Sequence, residues 1–141
     1  MPCIALPMIR RDQLCAIAPM SEQGDDSFGA VIRMADFDGD ALADVMTGAP
    51  SYFEYDSGAA GEVSGRTYAV FGSTLRDGGT IQASHADGVF ARGGSYDTGQ
   101  FGFSVVGIKD VDGDGGDEIA ASAASGSSCE AGGPVLLLPS P

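Results

Sequence analysis

Two acidic segments with the same internal spacing constrain this chain more than any other feature. In ADFDGDALADVMTGAP, Ala35 to Pro50, four aspartates fall within nine residues: Asp36, Asp38, Asp40 and Asp44. Acids recur with the same spacing at Asp110, Asp112, Asp114 and Glu118. Numbered from its first aspartate, each loop carries carboxylates at positions 1, 3, 5 and 9. A run of like charge is ordinarily a solvated face whose members repel one another. Two matched clusters, each set between apolar segments, call for something that offsets the repulsion.

The loops belong to a longer duplication. Phe28-Gly29 precedes Ala30–Met34 and the first loop, and Phe101-Gly102 precedes Phe103–Ile108 and the second. The Phe-Gly pairs lie 73 positions apart (101 − 28) and the loops 74 (110 − 36), so the first unit lacks one residue ahead of its loop. Each loop runs into an apolar strand candidate, Asp44–Pro50 or Glu118–Ala124. After Gly/Ser-rich connections come Arg66–Phe71 and Val135–Leu138, and a further strand is expected around Gly79–Ala83. Such short, β-branched or aromatic pieces between glycines read as strands and turns, and no segment holds a capped 3.6-residue period. The expected class is all-β, with two antiparallel, blade-like units of a partial β-propeller and the acidic loops in their hairpins. The division is residues 1–27 as an unassigned N-terminal segment, 28–100 as the first repeat with its connection, and 101–141 as a second repeat that ends early.

Composition excludes several functions. With 141 residues, 43 % hydrophobic and 19 % charged, the chain suits one globular domain. A net charge of −13, from 20 acidic and 7 basic residues, opposes a nucleic-acid partner and favours cations or basic partners. Cys3, Cys15 and Cys129 form no C-x-x-C pair, so no zinc or redox site follows; export would allow one disulfide of unassigned connectivity. The N-terminal stretch is broken by Arg10, Arg11, Asp12 and prolines, and does not read as a signal peptide. No run reaches the roughly 18 apolar residues of a membrane helix.

The loops suit calcium. A tight turn can converge the carboxylates of Asp36, Asp38, Asp40 and Asp44 with the position-7 carbonyl of Leu42. The second can gather Asp110, Asp112, Asp114, Glu118 and the carbonyl of Gly116. Calcium takes six to eight hard oxygens at about 2.3–2.6 Å, so each loop would need only water or a bidentate carboxylate besides. Magnesium demands stricter octahedral geometry, and zinc prefers Cys or His, which neither loop contains. His85 lies elsewhere and reads as an exposed loop residue. An EF-hand is excluded because its twelfth loop position would be Thr47 or Ala121, and no flanking helices are visible. Position 6 favours glycine for positive φ; Gly115 supplies it, whereas Ala41 stands in the first loop, so the second site is expected to bind more tightly.

Phe-Gly, then D-x-D-G-D-x-x-x-D, then Gly-Ala-Pro resembles the FG-GAP repeat of integrin α-subunit propellers and related proteins. The first unit matches as Phe28-Gly29, Asp36–Asp44 and Gly48-Ala49-Pro50; the second has Ser122-Ala123-Ala124 in place of Gly-Ala-Pro. The resemblance implies blades of a propeller, two calcium sites, an extracellular or cell-surface location, and protein ligands or further blades as partners. Propellers typically need about four to eight blades, so two repeats imply a fragment or an assembly.

The leading expectation is a calcium-stabilised interaction or adhesion module without catalytic residues. G-x-S-x-G, H-E-x-x-H and Cys/His pairings are all missing. One alternative is the accessory propeller of a secreted hydrolase, since such repeats also accompany phospholipase domains. Another is carbohydrate binding on an aromatic platform of Tyr52, Phe53 and Tyr55. Phe28, Phe101 and Phe103 are expected in the core.

Overall fold

The computed structural model describes residues 15–18, 26–54, 63–93, 100–124 and 135–138. The β-rich segments become β1 (Cys15–Ala18), β2 (Val31–Ala35), β3 (Asp44–Glu54), β4 (Val63–Val70), β5 (Gly79–Gln82), β6 (Gly88–Gly93), β7 (Phe101–Ile108), β8 (Glu118–Ala123) and β9 (Val135–Leu138). Between β4 and β5 lies α1 (Gly72–Leu75), and Ala83–His85 forms a 3-10 turn that leaves His85 exposed. One helical turn is too short to be stable alone. The Asp87 carboxylate anchors this one by accepting the Phe71 amide at 2.8 Å and the Thr74 hydroxyl at 3.0 Å.

The chain is all-β and pairs its strands as two antiparallel meanders. The first runs β2-β3-β4-β6, and the second β7-β8-β9. A single parallel bridge, Gly65 to Phe101, joins them into one open seven-stranded sheet. The expected strand at Gly79–Ala83 forms, but not in the blade. It pairs in parallel with β1, from Cys15–Gly79 to Ala18–Gln82. Gly78 and Gly79, at φ +69° and +86°, lie between α1 and the rest of β5, and β6 takes the fourth place in the blade.

Strand alternation places Val31, Met46 and Ala69 on one face of the first meander, and Val105, Ile119 and Ala121 on one face of the second. These faces meet. Phe37, Met46, Ala69, Phe101, Val105, Ile119, Ala121 and Ala123 form the buried core between them. Burying residues the size of Phe37, Met46 and Ile119 stabilises the contact by about 1.5–3 kcal/mol each. Close approach depends on glycine: a Cβ on Gly48 would collide with the Gly102 carbonyl oxygen, and one on Gly107 would lie 2.6 Å from Ala35 Cβ.

Of the three phenylalanines expected in the core, Phe101 is buried and Phe28 is half-buried, its ring 5.4 Å from that of Tyr68. Phe103 is instead 59 % exposed. A bulge between Phe101 and Ser104, with Gly102 at φ +87°, turns it out of the interface. Phe37, inside the first acidic loop, takes the buried place, its ring 6.1 Å from Phe90 and 6.4 Å from Phe71.

The opposite face of the first meander carries a smaller cluster of Ala49, Tyr68 and Ala83. Beside it opens a groove of about 380 Å³ lined by Ile17, Phe28, Ile32, Val45, Thr47 and Leu75. No described helix is long and apolar enough to cross a membrane. Cys3, Cys129 and Tyr55, and the side chains of Cys15 and Phe53, lie outside the described residues.

Candidate metal centres

The two repeats match in hydrogen bonding as well as in sequence. Ahead of each loop a Phe-Gly turn closes, with the Ala30 amide donating to the Ser27 carbonyl at 3.0 Å and the Phe103 amide to the Gln100 carbonyl at 3.2 Å. Ser27 and Gln100 have φ +56° and +40°, and the glycines that follow the phenylalanines have +85° and +87°. Within each loop, the position-6 amide donates to the position-1 carboxylate: Ala41 to Asp36 at 3.0 Å, and Gly115 to Asp110 at 3.2 Å. The position-5 amide donates to position 3, Asp40 to Asp38 at 3.2 Å and Asp114 to Asp112 at 3.1 Å. The position-7 amide donates to position 5, Leu42 to Asp40 at 2.7 Å and Gly116 to Asp114 at 2.9 Å. Short acidic side chains thus fold the loop by capping its own amides. Their remaining oxygens turn toward one another. Ala41 has φ +66° and Gly115 +103°, the positive values expected at position 6.

Asp110, Asp112, Asp114 and Glu118 each bring one carboxylate oxygen within 4.8 Å of the others, and Asp36, Asp38 and Asp40 form a second such group. Asp44 is not in that group. It is fully buried, and both its oxygens accept amides: Oδ2 from Phe37 at 2.5 Å and Asp38 at 3.3 Å, Oδ1 from Gly72 at 2.7 Å. Glu118 accepts the Val111 amide through Oε2 at 2.8 Å, whereas its Oε1 is buried without a hydrogen-bond partner. Asp36 Oδ1 is likewise buried and unpartnered. A buried carboxylate oxygen without a donor is costly, and a cation removes that cost. The residues therefore fit a hard divalent ion. Burial pushes the Asp38 carboxyl above its ordinary value, with repulsion from Asp44 and Asp40 added and the Asp40 amide opposing.

Sequence reasoning left out Asp117, which ties the loops together. Its amide donates to the Asp36 carbonyl at 2.6 Å, and its Oδ2 accepts the Asp36 amide at 3.2 Å. Its Oδ1 accepts the Asp110 amide at 3.4 Å, and Lys109 Nζ donates to Oδ2 at 2.7 Å. Lys109 holds the Asp117 carboxyl below its ordinary value, and Asp117 in turn raises that of Lys109. The residue missing ahead of the first loop now has an identity. Ala35 pairs with Asp44 directly before Asp36, whereas Ile108 pairs with Glu118 and Lys109 intervenes before Asp110. The extra lysine accompanies the extra acid.

Elsewhere, the guanidinium of Arg66 lies 3.9 Å from the centroid of the Tyr52 ring, covering one face of that aromatic.

Comparison with known proteins gives two findings. Residues 28–65 match the family described as FG-GAP repeat. Integrin alpha-PS2 of Drosophila melanogaster is 32 % identical over 96 residues, which cover 68 % of this chain and 6 % of that protein.

Proposed function

From a chain that carries an FG-GAP repeat and is integrin-α-like in sequence, we infer that two calcium ions hold the acidic loops of a propeller module built for protein interaction. The comparisons support an integrin-like interaction module; calcium, adhesion and an extracellular setting are the proposed part. Glu118 carries the reading. Its side chain is 1 % exposed, one oxygen is without a donor, and it belongs to a group with Asp110, Asp112 and Asp114. These four would hold one ion with the Gly116 carbonyl. Asp36, Asp38 and Asp40 would hold the other with the Leu42 carbonyl, and Asp44 would shape that loop from behind or contribute by rearranging. The ion supplies counter-charge to a crowded turn and so rigidifies the hairpin.

Isothermal titration calorimetry of the full chain tests this: calcium uptake at two sites is expected, together with a melting temperature lowered by EDTA. At 100 times Kd the stabilisation is about 2.7 kcal/mol per site. No heat of calcium uptake and no response to EDTA would overturn it.

The partners proposed are further blades or a protein ligand, and one observation supports the blades. On the second meander, Val106, Val111, Val135 and Leu137 are exposed. By strand pairing and loop position they correspond to Arg33, Phe37, Gly48-paired Thr67 and Ala69, the face of the first meander that the second covers. A third unit stacked in the same way would cover them. Sedimentation tests this: self-association that Leu137→Lys abolishes is expected, and a calcium-loaded monomer indifferent to that substitution would count against it.

A further inference from the structure

We propose that Asp117 couples the two metal centres, so that filling one loop raises the affinity of the other. This rests on the calcium reading above. The single Asp117 residue meets the first position of both loops, through two hydrogen bonds with the Asp36 backbone and one from the Asp110 amide. Position 1 is the pivot of each loop. Asp36 accepts the Ala41 amide, and Asp110 accepts the Gly113 and Gly115 amides, at 2.6 and 3.2 Å for the latter pair. The loops also touch further along, since a Cβ on Gly39 would lie 2.9 Å from the Gly115 carbonyl oxygen.

Binding at either loop orders its position-1 backbone, and the Asp117 bridge passes that order to the other. The bridge comes from one loop only, although its effect is the same in both directions. Position 8 is Asp117 in the second loop and Ala43 in the first, so the first loop has no carboxylate with which to reach backwards in the same way. The two groups share no carboxylate, which leaves ion–ion repulsion as the opposing effect. At physiological salt the Debye length is about 8 Å, so added salt weakens that repulsion between exposed charges.

The test is calcium titration calorimetry on the full chain and its variants at physiological ionic strength. Asp112→Ala isolates the first site and Asp38→Ala the second. In the wild type, the product of the two association constants is expected to exceed the product of the isolated constants by at least about fivefold. Asp117→Asn keeps the side-chain shape but replaces one acceptor oxygen with an amide NH2 that only donates, and is expected to bring that ratio to within about twofold of unity. Lys109→Gln, which loosens the Asp117 carboxylate without removing it, should at least halve the ratio and serves if Asp117→Asn does not fold. A ratio near one with Asp117 intact, or a ratio unchanged by these substitutions, overturns the coupling while leaving calcium binding in place. No calcium uptake by the wild type overturns the underlying reading itself.

Discussion

Asp44 and Glu118 hold the same ninth position in their loops, yet Asp44 Oδ1 accepts the Gly72 amide at 2.7 Å while Glu118 Oε1 is buried without a donor. The shorter acid is committed to the protein, and the longer one has an oxygen to spare. Ala41 at φ +66° adds strain to the first loop that Gly115 avoids in the second. Calcium is therefore expected to bind the second loop about tenfold more tightly, as roughly 1–2 kcal/mol of backbone strain would produce. Calorimetry comparing Asp38→Ala with Asp112→Ala measures the two affinities, and a tighter first site would contradict the ranking.

Replacing Ala41 with glycine separates the two causes. The change removes the left-handed penalty but gives the unfolded chain more freedom, so the net gain in stability is expected to be about 0.5 kcal/mol. With the second site removed by Asp112→Ala, calcium affinity at the first loop should rise. Thermal melting and titration of Ala41→Gly check both. An affinity gain without a stability gain would place the strain in the bound loop alone.

Gly48→Ala tests the contact between the blades. Its Cβ would run into the backbone oxygen of Gly102, with Val31 Cγ1 2.9 Å away, and neither side can yield without moving a strand. A loss of about 3 kcal/mol is expected. Gly29→Ala is the control for space, because nothing lies within 4 Å of its Cβ, although its φ of +85° still strains alanine. Urea midpoints of the two variants give the comparison, and a Gly48→Ala loss no larger than that of Gly29→Ala would show that the two blades can yield at this contact.

The Lys109–Asp117 pair predicts a defined pH window. The Asp117 carboxyl is lowered, so its contribution is present above the ordinary aspartate value near 3.9 and is lost as pH falls through the depressed one. Lys109 is raised, so its contribution is present below its ordinary value near 10.4 and is lost as pH rises through the elevated one. Because the lysine side chain is 89 % exposed, the effect should be small and weaken with salt. Melting curves of wild type and Lys109→Gln should differ most between about pH 5 and 9 and converge in strong acid. A difference that persists below about pH 2 would assign the effect to packing.

Much of this architecture was legible in the residues. The Phe-Gly turns, the loop spacing and the strands after each loop are local, and they recur because each is set by side chains capping nearby amides or by glycine at positive φ. What escaped is non-local. In the sequence Asp117 is one acid beside Glu118, and nothing in its neighbourhood reveals an Asp36 backbone 81 positions away. The single extra residue ahead of the second loop was a visible signal, and it marked Lys109, the partner of that acid. Phe37 was hidden among aspartates, and only the second blade, closing over the first loop, gives its ring a core to enter.

Local chemistry alone was enough to settle that this chain forms short antiparallel strands around two turns crowded with carboxylates, because neighbouring groups make those turns. Which acids are spent on amides and which keep an oxygen free, and which residue bridges the two loops, was set by the stacking of one blade on the other. That stacking depends on contacts between residues far apart in the chain, whose cost and reward exist only once the backbone has brought them together.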